Sequence, residues 1–423
     1  MNYINTPHMH WNISQKIAFR FFAVYIFLYT MSYQFLASGI VDKLWRIVVP
    51  WFAKNILKLE NEITIFANGS GDTTYNYVCL LVFALIAAVV TVIWTAINPQ
   101  KPQDSKLLDP LLVLIRYYLI FQMITYGLAK LFYLQFQEPG FSRLIQPYGE
   151  SSPMGLLWTF MGFSMGYTIF SGAAEFLGGI LLLFRKTRTL GALVVFGVML
   201  NVMALNYFYD VPVKILSTHL VLMCVFLIAL DGKRLLNFLI LNKEVPAREI
   251  QHFITNPKFR KIKDYIKWSL VTIGLGFSIY QMFNLVEQYG PAAEKPKLYG
   301  LHEVESFERN GEIIPPLTTD SSRWDKLIVQ RAGSARIHFM PNNRKFYDFK
   351  PDSIDSFILI NPSRDTTAMV DTLFFTQPDS SVLELEGIVG ADTLKVRLKS
   401  RQKDSFRLMN RGFHWISEYP YNR

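Results

Sequence analysis

Hydrophobic positions fall into two regimes along this chain: long unbroken runs up to about residue 290, then short alternating segments. The long runs are Ile17 to Leu36, Tyr75 to Ile97, Leu108 to Phe132, Gly155 to Phe184, Thr189 to Phe208, Val213 to Leu230 and Tyr265 to Leu285. Each is near the ~20 residues a helix needs to cross a bilayer, so the pattern predicts seven transmembrane helices. Met1 to Gln15 is polar and the first run is full length, with Lys16 and Arg20 at its head. That predicts a retained anchor rather than a cleaved signal peptide.

From Pro291 the alternating segments are Leu298 to Phe307, Arg323 to Gln330, Ala335 to Met340, Ser356 to Ile360, Thr372 to Thr376, Val382 to Val389 and Leu394 to Leu398. Turn-rich pieces separate them, among them Arg309-Asn310-Gly311 and Pro341-Asn342-Asn343. About eight strands in residues 291–423 predict a small antiparallel barrel in a soluble domain. The tail from Arg411 to Arg423 carries Phe413, Trp415, Tyr419 and Tyr421. It is expected to close or plug the barrel with these aromatics, the alternative being a recognition segment.

Composition agrees with a membrane protein: 51% hydrophobic and 15% aromatic residues against only 18% charged. The net charge of +10 is concentrated in loops. Residues 231–267 hold nine Lys/Arg against four Asp/Glu, which suits the anionic cytoplasmic leaflet and points away from nucleic acid. A cytoplasmic N-terminus and seven crossings then place the β domain outside, in the periplasm of a bacterial inner membrane. The loop Val41 to Leu59 is amphipathic and is expected to lie in the interface.

Cys79 and Cys224 both fall inside predicted helices, and no Cys-x-x-Cys is present, so neither a dithiol mechanism nor a disulfide framework is supported. Of the histidines, His8 and His10 lie in the polar N-terminus, His252 in the basic loop, and His302, His338 and His414 in the β domain. Only His219 falls in a predicted span, and no metal-binding helix motif, phosphate loop or nucleophile elbow emerges.

The strongest pointers to a site are ionisable residues inside apolar helices, each costing at least ~2.5 to 3.5 kcal/mol to insert unless it finds a partner. On the third run Arg116, Gln122, Tyr126 and Lys130 share one face; on the fourth Ser164, Tyr167, Thr168, Ser171 and Glu175 do so. At ~1.5 Å per residue, Arg116 and Glu175 sit at similar depth, roughly 12 to 15 Å from the cytoplasmic side, and are expected to pair. Lys130 is expected level with Asn206, Asp210 and Lys214, with His219 about 7 to 8 Å deeper, forming a basic outer cavity suited to an anion, a quinone carbonyl or a lipid head group. Each has a structural alternative: Arg116 with Glu175 as a lock between helices, Lys214 snorkelling to the interface, His219 as a packing residue, and Gly166, Gly172, Gly178 and Gly179 permitting close helix approach.

Two resemblances add to this reading. Gly127-Leu128-Ala129-Lys130 and Glu175-Phe176-Leu177-Gly178-Gly179, followed by Leu181-Leu182-Leu183-Phe184-Arg185-Lys186-Thr187-Arg188, resemble the four-helix core of the DoxX family of membrane proteins. That resemblance implies kinship with subunits of quinone-linked sulfur oxidation or with membrane components of maturation and redox systems. Tyr299-Gly300-Leu301-His302-Glu303-Val304 and Arg323-Trp324 resemble the first strand and the Arg/Trp elements of lipocalin-like barrels, with Leu301 where that family has Trp.

The expected protein is multi-domain α and β: a polytopic seven-helix transmembrane bundle containing a DoxX-like four-helix core, followed by an all-β antiparallel barrel-like domain. The expected divisions are 1–107 for two helices and an interfacial segment, 108–234 for the core, 235–264 for the basic loop, 265–290 for the seventh helix and 291–423 for the β domain. The expected function is binding of a small lipophilic or anionic ligand, such as a quinone, in the core, as the membrane subunit of a redox system. The alternative is a non-enzymatic anchor or assembly factor presenting the β domain to an envelope partner.

Overall fold

In a computed structural model of the chain, residues 11–32, 40–63, 65, 71–98, 104–246, 256–340, 343–352, 355–363 and 370–422 are described. His8, His10, His252, Asn342 and the Leu36 end of the first run lie outside them. The chain forms two compact units, Met1–Gln135 with Gly166–Phe283, and Phe136–Met165 with Asn284–Arg423.

The first unit is helical. Its elements are α1 (Ile13–Thr30), α2 (Ile40–Asn55), α3 (Thr74–Ile97) and α4 (Asp104–Leu131), followed after an insertion by α7 (Met165–Leu183), α8 (Arg188–Phe208), α9 (Lys214–Ala229), α10 (Gly232–Leu239) and α11 (Pro257–Tyr289). Local chemistry sets several starts. Asn12 accepts from the Gln15 amide at 2.8 Å while Gln15 accepts from the Asn12 amide at 3.1 Å, a reciprocal cap on α1. Asp72, distant in sequence, caps α9 by accepting from the amides of Lys214 (2.6 Å) and Ile215 (3.0 Å).

Among the described residues five helices are long and apolar enough to cross a membrane: α3, Leu107–Leu131 within α4, α7, α8 and α11. Together α9 and α10 pass the same test as a pair bent by 73°. The expected run from Gly155 to Phe184 is not one helix. It breaks at Ser164, whose backbone is extended, into α6 (Pro153–Phe163) and α7, and α6 belongs to the other unit. The amphipathic stretch after Val41 is α2, which buries Val49 and Ala53 against Val78, Val82 and Phe83 of α3 and leaves Leu44, Ile47 and Trp51 exposed.

The second unit is built on a closed barrel. Eight antiparallel strands follow one another in sequence order: β1 (Gly300–Arg309), β3 (Trp324–Arg331), β4 (Gly333–Phe339), β5 (Arg344–Pro351), β6 (Phe357–Pro362), β7 (Asp371–Asp379), β8 (Val382–Val389) and β9 (Asp392–Arg401). Pairing of β1 with β9, from Leu301 opposite Arg401 to Arg309 opposite Leu394, closes the ring. The two-residue β2 (Glu312–Ile313) folds back on β1 through Asn310-Gly311, both at positive φ, as a two-residue hairpin turn requires. Alternate side chains such as Phe307, Trp324, Ile337, Phe349 and Leu383 fill the interior. Arg323 is buried, donating from Nε to the Ile314 carbonyl at 2.9 Å and from Nη1 to the Trp324 carbonyl at 3.0 Å.

Residues 136–165, between α4 and α7, are folded into this second unit. Phe141 of the short α5 (Phe141–Leu144) joins Leu301, Ile328 and Phe406 in a cluster outside the barrel, and Ser142 donates from its hydroxyl to Gln330 at 3.2 Å. The tail does not plug the barrel. Phe406 is its last deeply buried aromatic, whereas Phe413, Trp415, Ile416 and Tyr419 are all more than three-quarters exposed.

Candidate functional site

The helical unit gathers its buried polar groups into three places. The first is a crossing of α4 and α7. A Cβ on Gly172 would lie 2.6 Å from the Lys130 Cβ and 2.8 Å from the Gly127 carbonyl oxygen, so these helices touch through glycine backbone. Lys130 is therefore level with Gly172 and reaches one turn along α7, donating to both carboxylate oxygens of Glu175 at 2.6 and 2.7 Å. Both side chains are buried, and the ammonium also lies 5.8 Å from the Tyr126 ring centroid. Gly179 makes a second close approach, to Met123, whereas Gly166 faces open space and takes no part in packing.

This arrangement corrects two expectations. Glu175 pairs with Lys130 rather than with Arg116, and Lys130 does not join the cluster at the start of α9. The depth estimate failed because it counted Arg116 from the start of its run and Glu175 back from Arg185 as if those two ends were level, whereas Arg116 lies beside Leu182 and Lys130 beside Gly172.

The second place is the C-terminal end of α7, where Arg116 sits. Its guanidinium donates to the Leu182 carbonyl from Nη2 at 2.7 Å and from Nε at 3.3 Å. Lys267 of α11 donates to the Leu183 carbonyl and Thr187 to the Leu181 carbonyl, both at 2.6 Å. Three successive carbonyls left over at the helix end thus receive donors, two of them cationic, at the negative end of the helix dipole. Arg116 is a helix-end cap in this fold.

The third place surrounds His219. Its Nδ1 lies 2.7 Å from the Ile215 carbonyl oxygen, which can only accept, so Nδ1 carries the proton. In the neutral ring Nε2 is then an acceptor, and the Tyr25 hydroxyl 2.8 Å away donates to it. Tyr29 stacks on the imidazole with ring centroids 3.9 Å apart and planes within 7°. Tyr118 meets Tyr29 edge-on at 6.1 Å, and its hydroxyl faces Tyr29 and Gln122. Tyr118, Gln122, Tyr126 and Lys130 recur every four residues on α4, a ridge of ~18 Å that links the His219 layer to the Lys130–Glu175 pair.

The remaining expected members are dispersed. Lys214 pairs with Asp210 at 2.8 Å, with Asp210 mostly exposed, and Asn206 donates to the Val213 carbonyl at 3.4 Å. These groups bind the α8–α9 turn, and among the described residues none of them bonds His219. Tyr25, Tyr29 and Tyr118 were missed in the sequence, since aromatic residues in an apolar run look like packing. Among the described residues no cluster of three or more His, Cys, Asp or Glu is placed to hold a metal ion.

No family model matches the chain, and no solved structure matches it. A stretch of 122 residues is 35% identical to the uncharacterized protein YwoB of Bacillus subtilis (strain 168), covering 28% of this chain and 75% of that protein. Through that stretch this chain belongs to the same family as the Bacillus subtilis protein.

Proposed function

We propose that the helical unit is a bacterial inner-membrane, DoxX-like module that binds a small lipophilic ligand with hydrogen-bonding carbonyl groups, of the quinone type, beside His219. The observation that carries this reading is the layer of Tyr25, His219, Tyr29 and Tyr118, in which flat aromatic rings pack around one imidazole held by a tyrosine hydroxyl. A lipophilic ligand fits better than an anionic one, because Glu175 already neutralises Lys130. In this reading Tyr25 and His219 contact the ligand, and the α4 ridge supplies protons toward it from the Lys130–Glu175 end. The DoxX resemblance is supported by the convergence of its short motifs, since Gly127, Lys130, Glu175 and Gly179 all lie along one helix crossing. The seven-span topology with the barrel in the periplasm remains part of the proposal.

Native mass spectrometry of the gently solubilised protein, with extraction of whatever co-purifies, tests the reading. A stoichiometric quinone or lipid should be present in the wild type and lost in a folded Tyr25→Phe/His219→Leu variant. Unchanged occupancy in that variant would refute it.

A second reading, an anchor presenting the barrel to an envelope partner, is favoured by the exposed aromatic tail. Removal of residues 411–423 tests it without disturbing the bundle: a partner that survives in gentle extracts of the truncated protein counts against the tail as the recognition element.

A further inference from the structure

The outer face of the barrel over β3, β4 and β5 carries an unusual concentration of positive charge. Strand register places Lys326, His338 and Arg344 in one row across the three strands, and Arg336 two residues from His338 on the same face, opposite Ile328 and Phe346. Directly opposed residues in antiparallel strands hold their Cβ atoms about 4.5 to 5.5 Å apart, so four basic side chains share a patch one phosphate group could span.

Two of these groups carry a buried nitrogen that the protein leaves unsatisfied. His338 is 8% exposed, and its Nε2 is buried with no hydrogen-bond partner among the described residues. The Arg336 Nε is in the same condition, its guanidinium carbon lying 4.4 Å from the centroid of the exposed Phe346 ring. The nearby acid, Asp325, is engaged by Lys326. Neither Arg336 nor Arg344 has a carboxylate partner among the described residues, although Arg397 and Arg401 elsewhere on the barrel both do. Two neighbouring arginines without a carboxylate are unfavourable, and a buried polar nitrogen without a partner costs more still. An oxyanion relieves both.

We propose that Lys326, Arg336, His338 and Arg344 form a binding site for a phosphate-type oxyanion, either free or as a phospholipid head group. The planar guanidinium groups suit two oxygens each, the lysine adds a point charge, and the imidazole supplies one N–H once it turns its protonated nitrogen toward the ligand. Nothing in this site depends on the ligand proposed for the helical unit.

The test uses the full-length protein in neutral detergent, titrated with inorganic phosphate and, separately, with monomeric dihexanoyl phosphatidate, followed by calorimetry. Saturable binding is expected for at least one probe, weakened by ~10-fold or more in Arg336→Gln/Arg344→Gln, since each lost bond involves a charged group. Phosphate binding alone marks a free anion as the natural ligand; much tighter phosphatidate binding marks a head group. Arg397→Ala, on the other side of the barrel, should bind as wild type. Should the double variant unfold, Arg344→Glu is read instead, because Arg344 is exposed. The proposal is overturned if neither probe saturates, if the folded variant binds as wild type, or if Arg397→Ala weakens binding equally.

Discussion

Lys130 donates two short hydrogen bonds to Glu175 from a backbone position level with Gly172, so the ion pair and the glycine contact are one arrangement. Removing one partner strands a buried charge. Lys130→Met or Glu175→Leu alone should cost ~3 to 5 kcal/mol, and the double variant clearly less than either. Thermal unfolding of the solubilised protein, run as a double-mutant cycle, measures this.

Gly172→Ala should destabilise by ~1 to 3 kcal/mol, because the new methyl meets backbone and a Cβ that cannot yield. Gly166→Ala on the same helix meets nothing within 4 Å and should be neutral or stabilising by up to ~1 kcal/mol. The contrast in melting temperature distinguishes close packing from helix propensity.

Tyr25→Phe removes the hydroxyl that donates to His219 Nε2 and leaves that buried nitrogen short of a partner, at a cost of ~1 to 3 kcal/mol. Phe21, on the same helix but partly exposed, should tolerate Phe21→Leu with a far smaller change in melting temperature.

The barrel should lose stability as pH falls from about 6.5 toward 4. Burial, together with Arg336, Lys326 and Arg344, pushes His338 down to about 4, with Asp325 opposing. Burial also lowers His302, against its bond to the Leu298 carbonyl. Because the folded state resists protons that the unfolded state accepts, stability is full above the unfolded value and falls through this window. Asp320 and Asp379, held low by bonds from Ser322 and Ser381, add a further loss only below their usual carboxylate range. Chemical denaturation at several pH values should show the upper window flatten in His338→Gln.

Deleting residues 411–423 should leave the melting temperature of the barrel unchanged within the ~0.5 kcal/mol usual for exposed positions. Phe406→Ala, which empties the cluster shared with Phe141, Leu301 and Ile328, should cost ~3 to 5 kcal/mol.

Periodicity carried much of the architecture because helix runs and alternating strands follow directly from which side of the chain is buried. It missed β5, where inward Tyr347 and Phe349 follow a Lys345 at the strand's start and the outer face mixes Arg344, Phe346 and Asp348. It also missed the break at Ser164, since a single extended residue leaves hydrophobicity intact. Lys130 and Glu175 were visible as charges in apolar runs, but their pairing depends on how α4 and α7 are staggered. Tyr25 and Tyr29 gave no signal at all: what makes them polar partners is His219, nearly two hundred residues away.

Closure of β1 onto β9 ties Leu301 to Arg401 across the whole length of the domain. During synthesis the first strand must wait, one edge unpaired, until the last has emerged, and such distant pairing is slow to form. A ribosome that stops short of β9 therefore releases an open sheet with two sticky edges, and the nascent domain is most exposed to aggregation and proteolysis just before its final strand arrives.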